Sequence, residues 1–419
     1  MTSTNIKTSI YSPVLIGGSL ILLTGFAIRS TFGLFQIPIA EEFLWARSEF
    51  SLAIAIQNLA WGIATPFFGA FAEKFGDKKA IFIGIILYAV GLLISSQSSS
   101  PEGHQLLNIV IGFGIAGTGF GPILAVVGRT TSPEHRSLAL GITTAAGSAG
   151  QIIGPPLTSI LLEAMSWSSV FIIFAFIILF TVIFLPLIKI KDNSKKINNH
   201  KNENLGKVLI KAFKDPTYMM IFLGFFSCGF QLAFITAHFP AFIAESSSPI
   251  APNSLIRLVC KSTVSLGALS IAIIGIFNIV GSISAGALGK NYSKKYLLSI
   301  IYAGRTIAAL LFIILPITPI SVIIFSIVMG SLWLATVPLT SGIIAHIYGI
   351  QYMGTLYGVI FFSHQLGSFI GVWLGGFFYD VYGNYNIVWW VGIGVGAFSA
   401  IIHLPVKEVP LSERNAQIA

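Results

Sequence analysis

The sequence predicts an all-α polytopic membrane protein, with twelve spanning helices in two pseudo-symmetric six-helix bundles. Three observations lead there. Only 9% of the 419 residues are charged and 55% are hydrophobic, whereas a soluble domain carries about 25% charged residues. That leaves too little polar surface to cover a water-soluble globule, so lipid is the expected solvent for most of the chain. Apolar segments recur along the whole length, which excludes a soluble protein with one anchor. Basic residues, finally, gather in alternate loops.

A bilayer core about 30 Å thick needs about 20 apolar residues at 1.5 Å each. Twelve segments meet this, at 13–40, 49–72, 80–98, 106–130, 137–163, 168–188, 217–244, 264–289, 296–316, 319–345, 354–379 and 387–405. They are helices 1 to 12. The start lacks the charged region and cleavage site of a signal peptide, so the first run is expected to be helix 1. Lys74, Lys78 and Lys79 follow helix 2, Arg129 and Arg136 flank the end of helix 4, and Lys290, Lys294 and Lys295 follow helix 8. The stretch 189–214 between helices 6 and 7 holds eight lysines. The alternate loops hold only Arg47, Arg257 and Lys261. This asymmetry puts the basic loops, and with them both termini, in the cytoplasm. The net charge of +9 is then topological, helped by anionic membrane lipid, and no nucleic-acid partner is expected.

The chain repeats itself. Gly69-Ala70 matches Gly286-Ala287 at an offset of 217, and a lysine pair follows each, Lys78-Lys79 and Lys294-Lys295. Gly141, Gly150 and Gly154 in helix 5 match Gly358, Gly367 and Gly371 in helix 11 at the same offset. Helices 1 and 7 align best at 202, which pairs Pro38 with Pro240. The expected domains are therefore an N-terminal bundle, 1–188, a C-terminal bundle, 217–419, and a cytoplasmic linker, 189–216, without helical periodicity. Parallel halves of this kind place a substrate site near the midplane between them.

The stretch from Gly69 through Glu73 and Gly76 to Lys78 and Lys79 resembles the loop 2–3 motif of the major facilitator superfamily. Glu73 stands where Asp is usual there, and Asp77 where a basic residue is usual. Gly141, Gly150, Gly154 and Pro155 resemble the helix-5 motif of the same superfamily, with Thr158-Ser159 replacing its final glycines. The resemblance covers the whole chain and implies a transporter, not an enzyme, working without a cofactor. It also implies that Glu73 joins a neighbouring helix end to hold an outward-open state. The runs 29–35 and 50–58 resemble the bacterial monocarboxylate-transporter-like group, which includes oxalate/formate exchangers and moves small organic anions. That group's animal relatives carry an Asp and an Arg four apart in helix 8. Asn278 and Ser282 stand there instead, so proton coupling through that pair is not expected.

The glycines on helices 5 and 11 (Gly141, Gly150, Gly154, Gly358, Gly367 and Gly371) let backbones approach closely, as packing and sliding surfaces. Gly112-Phe113-Gly114-Ile115-Ala116-Gly117 fits G-x-G-x-x-G, but it lies inside a spanning helix with no strand before it, which excludes a dinucleotide site. Cys228 and Cys260 are expected to be unpaired thiols, and no metal-ligand spacing occurs.

Ionisable groups at membrane depth cost several kcal/mol unless they line a cavity or find a partner. Arg29 lies midway along helix 1, Arg305 in helix 9, His364 in helix 11 and His238 in helix 7. Gln57, Asn58 and Asn278 lie at similar depth. No Asp or Glu sits at the centre of any helix. Arg stays charged, so a cavity lined by Arg29 and Arg305 would be positive and suited to a carboxylate. Arg29 and Gln36 share a face, and at offset 202 their counterparts are Gln231 and His238. All nine are candidate substrate contacts, with the histidines also candidates for carrying protons.

The expectation is a monomeric inner-membrane carrier of a small organic anion, moved with a proton or by exchange. An exporter of amphipathic compounds, a carrier of a larger metabolite such as a siderophore, and a membrane sensor that transports nothing remain alternatives.

Overall fold

Cap residues and prolines set where the helices begin. Ser12-Pro13, Ser100-Pro101, Ser132-Pro133, Asp215-Pro216 and Thr318-Pro319 each open a spanning helix. Ser12 accepts a hydrogen bond from the amide of Leu15, Ser100 from Gly103 and Asp215 from Thr217, and Thr318 and Ser321 form a reciprocal box. A side-chain acceptor satisfies an orphan N–H, and proline at the first helical position forfeits an N–H that had no partner.

A computed structural model describes residues 12–45, 47–188, 205–259 and 263–416. It is all-helical among them. Helix 1 is Pro13–Arg29, continued after a turn by Phe32–Phe35 and Gln36–Phe43. Helices 2 and 3 are Arg47–Phe75 and Asp77–Ser95; helix 4 is Pro101–Thr118 and Phe120–Thr130; helix 5 is Pro133–Ala164; helix 6 is Trp167–Phe180 with Thr181–Leu187. Helices 7, 8 and 9 are Pro216–Ser246, Thr263–Asn291 and Lys294–Ile314; helix 10 is Pro319–Leu332 and Thr336–Tyr348; helices 11 and 12 are Met353–Tyr382 and Asn386–Ile402.

Ten of these are long and apolar enough to cross a bilayer. Helix 12 is apolar but has 17 residues. Helix 5 has 32 residues and is diluted by polar ones. It tolerates Thr143, Thr144, Ser148 and Gln151 because all four are buried in protein, packed between helices 1 and 8. Helices 6, 9 and 12 instead expose Phe176, Phe180, Ile300, Ile307, Trp390 and Ile401, an exterior suited to lipid. The twelve apolar segments thus map onto these twelve helices. The breaks in helices 1, 4 and 10 do not follow from the segments alone.

The two halves repeat each other's contacts. Gly150 and Gly154 press on Leu23 and Ala27 of helix 1; Gly367 and Gly371 press on Phe226 and Phe230 of helix 7. Small residues here permit backbone approaches that any Cβ would block. The third glycine of each set looks across to the other half, and here too the contacts repeat at offset 217. A Cβ on Gly141 would come within 2.8 Å of Ser282 O of helix 8, and one on Gly286 within 2.8 Å of Ser137 O. The equivalent contacts join helices 11 and 2: a Cβ on Gly358 would come within 2.7 Å of Pro66 Cα and 3.1 Å of Thr65 C, and one on Gly69 within 2.5 Å of Gly354 O. Helices 2 and 11 thus cross in the same register as helices 8 and 5.

These contacts also correct the register of helices 1 and 7. Leu23 pairs with Phe226 and Ala27 with Phe230, an offset of 203, which also pairs the opening prolines Pro13 and Pro216. Arg29 therefore corresponds to Leu232, not Gln231. The repeated apolar letters of the two helices match almost equally well one residue away.

The expected linker is not structureless throughout. Leu205–Lys214 is an amphipathic helix, with Ala212 buried and Lys207, Lys211 and Lys214 on one exposed face. Residues 189–204 lie outside the described chain, as does Cys260; Cys228 is a buried free thiol. Helices 2 and 11, and helices 5 and 8, run against each other between the halves. One end of this bundle carries Glu73, Lys78, Lys79, Arg129, Arg136, Lys290 and Lys294, and is called the basic end.

Candidate functional site: the cavity between the halves

Helix 1 stops at Arg29 because the chain turns at Ser30-Thr31 into a 3-10 segment. The guanidinium thus sits at a helix C-terminus, where free carbonyls favour a cation. It reaches a cavity of about 30 Å³ between the halves. The walls come from both: Phe26, Arg29, Trp61, Phe120 and Gln151 on one side, Leu232, Thr236, Trp333, Phe361, His364 and Ser368 on the other. Arg29 Nη2 donates to Asn58 Oδ1 at 3.0 Å. Its charge lies 4.8 Å from the Trp61 ring centre and 5.7 Å from that of Phe26. Cation–π contacts of this kind are worth about 0.5–2 kcal/mol. Its Nε–H is buried without an acceptor, and no carboxylate pairs with it among the described residues. The His364 ring stacks on Phe361 at 5.1 Å, with Nδ1 3.4 Å from Gln365 Oε1.

Of the nine candidates, Arg29 and His364 line this cavity, and Asn58 holds Arg29 from behind. The others lie elsewhere. Gln57 donates to Asn108 Oδ1 at 2.8 Å inside the N-terminal half. Gln231 donates to Gly392 O of helix 12 at 2.9 Å. His238 Nε2 lies 2.9 Å from Val372 O of helix 11. For Gln36, the described structure gives the backbone alone. Asn278 and Arg305 both serve the break in helix 10. Asn278 Oδ1 accepts from Leu334 N at 2.9 Å. Arg305 donates to Leu332 O from Nε at 3.0 Å and from Nη2 at 2.6 Å, and also to Trp333 O. A helix interrupted inside a membrane must have its freed backbone groups satisfied by protein, and these two side chains do it.

The equivalent positions of the other half, at offset 217, are Trp61 and Tyr88. The Trp61 indole packs on the helix 4 break at Gly119, and Tyr88 donates to Gly25 O at 3.3 Å. Sequence reasoning missed the aromatic wall of Phe26, Trp61, Phe120, Trp333 and Phe361. The available signal was a tryptophan at membrane depth on the polar helix 2, next to Gln57 and Asn58.

Residues 18–372 match the family model of the Major Facilitator Superfamily. The chain belongs to this superfamily. It is 27% identical over 395 residues to an uncharacterized MFS-type transporter, YcxA, of Bacillus subtilis strain 168, covering 90% of each chain. It is 27% identical over 164 residues, 39% of this chain and 31% of the other, to the methyl viologen resistance protein SmvA of Salmonella typhimurium strain LT2. Among solved structures, the E. coli fucose:proton symporter FucP superposes with a TM-score of 0.66, covering 93% of this chain and 97% of that one at 16% identity.

This major facilitator chain is a multi-pass membrane transporter, and its loop 2–3 motif has a visible job. Glu73, at the end of helix 2, reaches the start of helix 11 in the other half. Its carboxylate accepts from Thr355 N at 3.0 Å and from Thr355 Oγ1 at 2.5 Å. A carboxylate at a helix N-terminus meets orphan N–H donors and the positive end of the dipole. Asp77, the departure from the superfamily pattern, pairs with Arg129 of helix 4. Gly76 opens helix 3 at φ +102°, a conformation that disfavours a side chain. Lys78 and Lys79 are exposed. The basic end is thus pinned across the halves. At the opposite end a Cβ on Gly376 would only reach ordinary contact with Ser51, at 3.5 Å.

Proposed function

We propose that this transporter carries a small organic anion of the monocarboxylate kind across the bacterial inner membrane. The halves, 1–188 and 217–419, rock about the central cavity by alternating access, with the basic end and both termini on the cytoplasmic side. One observation carries the reading: Arg29 stands on the cavity wall with a spare donor and no carboxylate partner among the described residues. A substrate carboxylate supplies that charge and takes the two-pronged geometry of the guanidinium. At about 30 Å³ the cavity has room for about one water, so the halves must part before substrate enters. His364 is the titratable group facing Arg29 across the cavity and is the residue proposed to carry a coupled proton, where the substrate is not simply exchanged.

Uptake into proteoliposomes tests this. Labelled lactate, pyruvate, formate and oxalate are offered with and without an inward proton gradient, beside a neutral amphipathic compound. One carboxylate is expected to accumulate, and Arg29→Gln is expected to abolish its uptake. A second reading rests on the aromatic wall, which would equally suit an amphipathic compound. Transport of the neutral compound alone, unchanged in Arg29→Gln, would establish that reading and remove the first.

A further inference from the structure

The basic end holds a second, larger cavity, away from the central one. It measures about 1080 Å³ and lies at the corner where the Leu205–Lys214 helix meets the starts of helices 7 and 9 and the segment after helix 12. Five cationic side chains line it, Lys211, Lys214, Lys295, Lys407 and Arg414, against two carboxylates, Asp215 and Glu408. Both carboxylates are already engaged. Asp215 pairs with Arg414 at 3.0 Å and accepts from Tyr348 at 2.5 Å and Thr217 N at 2.9 Å. Glu408 pairs with Lys294 at 3.3 Å and accepts from Ser293 at 2.8 Å and Lys295 N at 3.3 Å. With the acids so occupied, Lys214, Lys295 and Lys407 line the cavity without a carboxylate partner among the described residues and leave it positive; the Lys295 ammonium lies 4.9 Å from the centre of the Tyr296 ring.

The rest of the lining decides the ligand. Met220, Val409, Leu411 and Pro216 give the same cavity an apolar side. Ile210 and Phe213 stand exposed on the adjoining helix at 57% and 46%. A free phosphate has no use for that apolar surface, whereas a phospholipid has both a charged headgroup and a chain to place on it. The location, where spanning helices begin, is the depth of the headgroups.

We propose that this cavity is a binding site for an anionic phospholipid. The headgroup phosphate lies among Lys214, Lys295 and Lys407, and the upper acyl chain lies along Met220 and Val409. The lipid clamps the Leu205–Lys214 helix to the C-terminal half, because basic side chains at the membrane surface attract anionic headgroups. This inference does not depend on what the central cavity carries.

The test uses the full chain in a neutral detergent, following thermal unfolding by intrinsic tryptophan fluorescence. Phosphatidylglycerol, phosphatidylcholine and inorganic phosphate are added separately. Phosphatidylglycerol is expected to raise the unfolding temperature by several degrees at concentrations where the other two do not. Lys214→Gln/Lys295→Gln/Lys407→Gln is expected to lose most of that rise. Lys78→Gln/Lys79→Gln, which removes exposed charge from the same end outside the cavity, is expected to keep it. Retention of phosphatidylglycerol over phosphatidylcholine by the native protein in native mass spectrometry gives a reading that survives if the triple variant does not fold. Equal stabilisation by both lipids, an equal effect of inorganic phosphate, or an undiminished rise in the folded triple variant would overturn the proposal.

Discussion

Two guanidinium groups lie at membrane depth, and their surroundings give them different work. Arg305 is fully buried away from the cavity and holds the carbonyls of the helix 10 break. Arg305→Met leaves Leu332 O and Trp333 O without donors, which costs about 1–3 kcal/mol for each. Its first effect is expected on the unfolding temperature. Arg29 sits on a cavity wall with one neutral side-chain partner, so Arg29→Gln is expected to unfold at nearly the wild-type temperature while anion uptake is lost. Running unfolding and uptake on both variants separates the two roles; an Arg29→Gln protein that fails to fold would remove the site assignment. Glu73 belongs to this scale too. Glu73→Ala deletes two hydrogen bonds from a charged acceptor, each worth about 1.5–3 kcal/mol. That is enough to shift a two-state equilibrium about tenfold or more. Spin labels on Lys78 and Tyr292, exposed on opposite halves, are expected to report a longer-distance population in the variant.

At the level of elements, the fold depends on helix pairs that touch backbone to backbone. A Cβ on Gly154 would collide with Ala27 O, and one on Gly371 would come within 2.6 Å of Phe230 O. Gly154→Val and Gly371→Val are expected to fail to fold or to lose transport, because helices 1 and 7 cannot retreat without opening the halves they support. Gly394, with nothing near its Cβ position, gives the contrast: Gly394→Ala is expected to behave as wild type in expression and uptake. The broken helices 1, 4 and 10 act as a second kind of element. Each interruption falls at the depth of the cavity and turns backbone and side chain toward it, Arg29 at the first and Trp333 at the third.

Across the whole molecule, the basic end is bonded between the halves through Glu73 and Thr355. Alternating access then requires the Glu73–Thr355 contact to break in each cycle. With Cys228 and Cys260 replaced by Ser, a disulfide between Glu73→Cys and Thr355→Cys is expected to stop transport, and reductant to restore it. Uptake that continues with the disulfide formed would show that the basic end does not open.

Lipid as solvent, the all-helical fold, the repeat of the halves and the intramembrane arginines could all be read from the chain. Each depends on composition or on spacing along one segment, such as the recurrence of Gly150 and Gly154 at Gly367 and Gly371. Glu73 was also legible, through the resemblance of its loop to the superfamily motif. What tertiary structure alone decided was direction and register. Arg29, Arg305, Gln231 and His238 look alike as polar residues at membrane depth. Only the packing shows that Arg29 faces the gap between halves and that the other three bond to helices 10, 12 and 11. The offset of 202 failed for a related reason. Along an apolar helix a one-residue slip leaves the letters nearly unchanged but turns the face by about 100°, and only the backbone contacts of helices 5 and 11 fix which face looks inward.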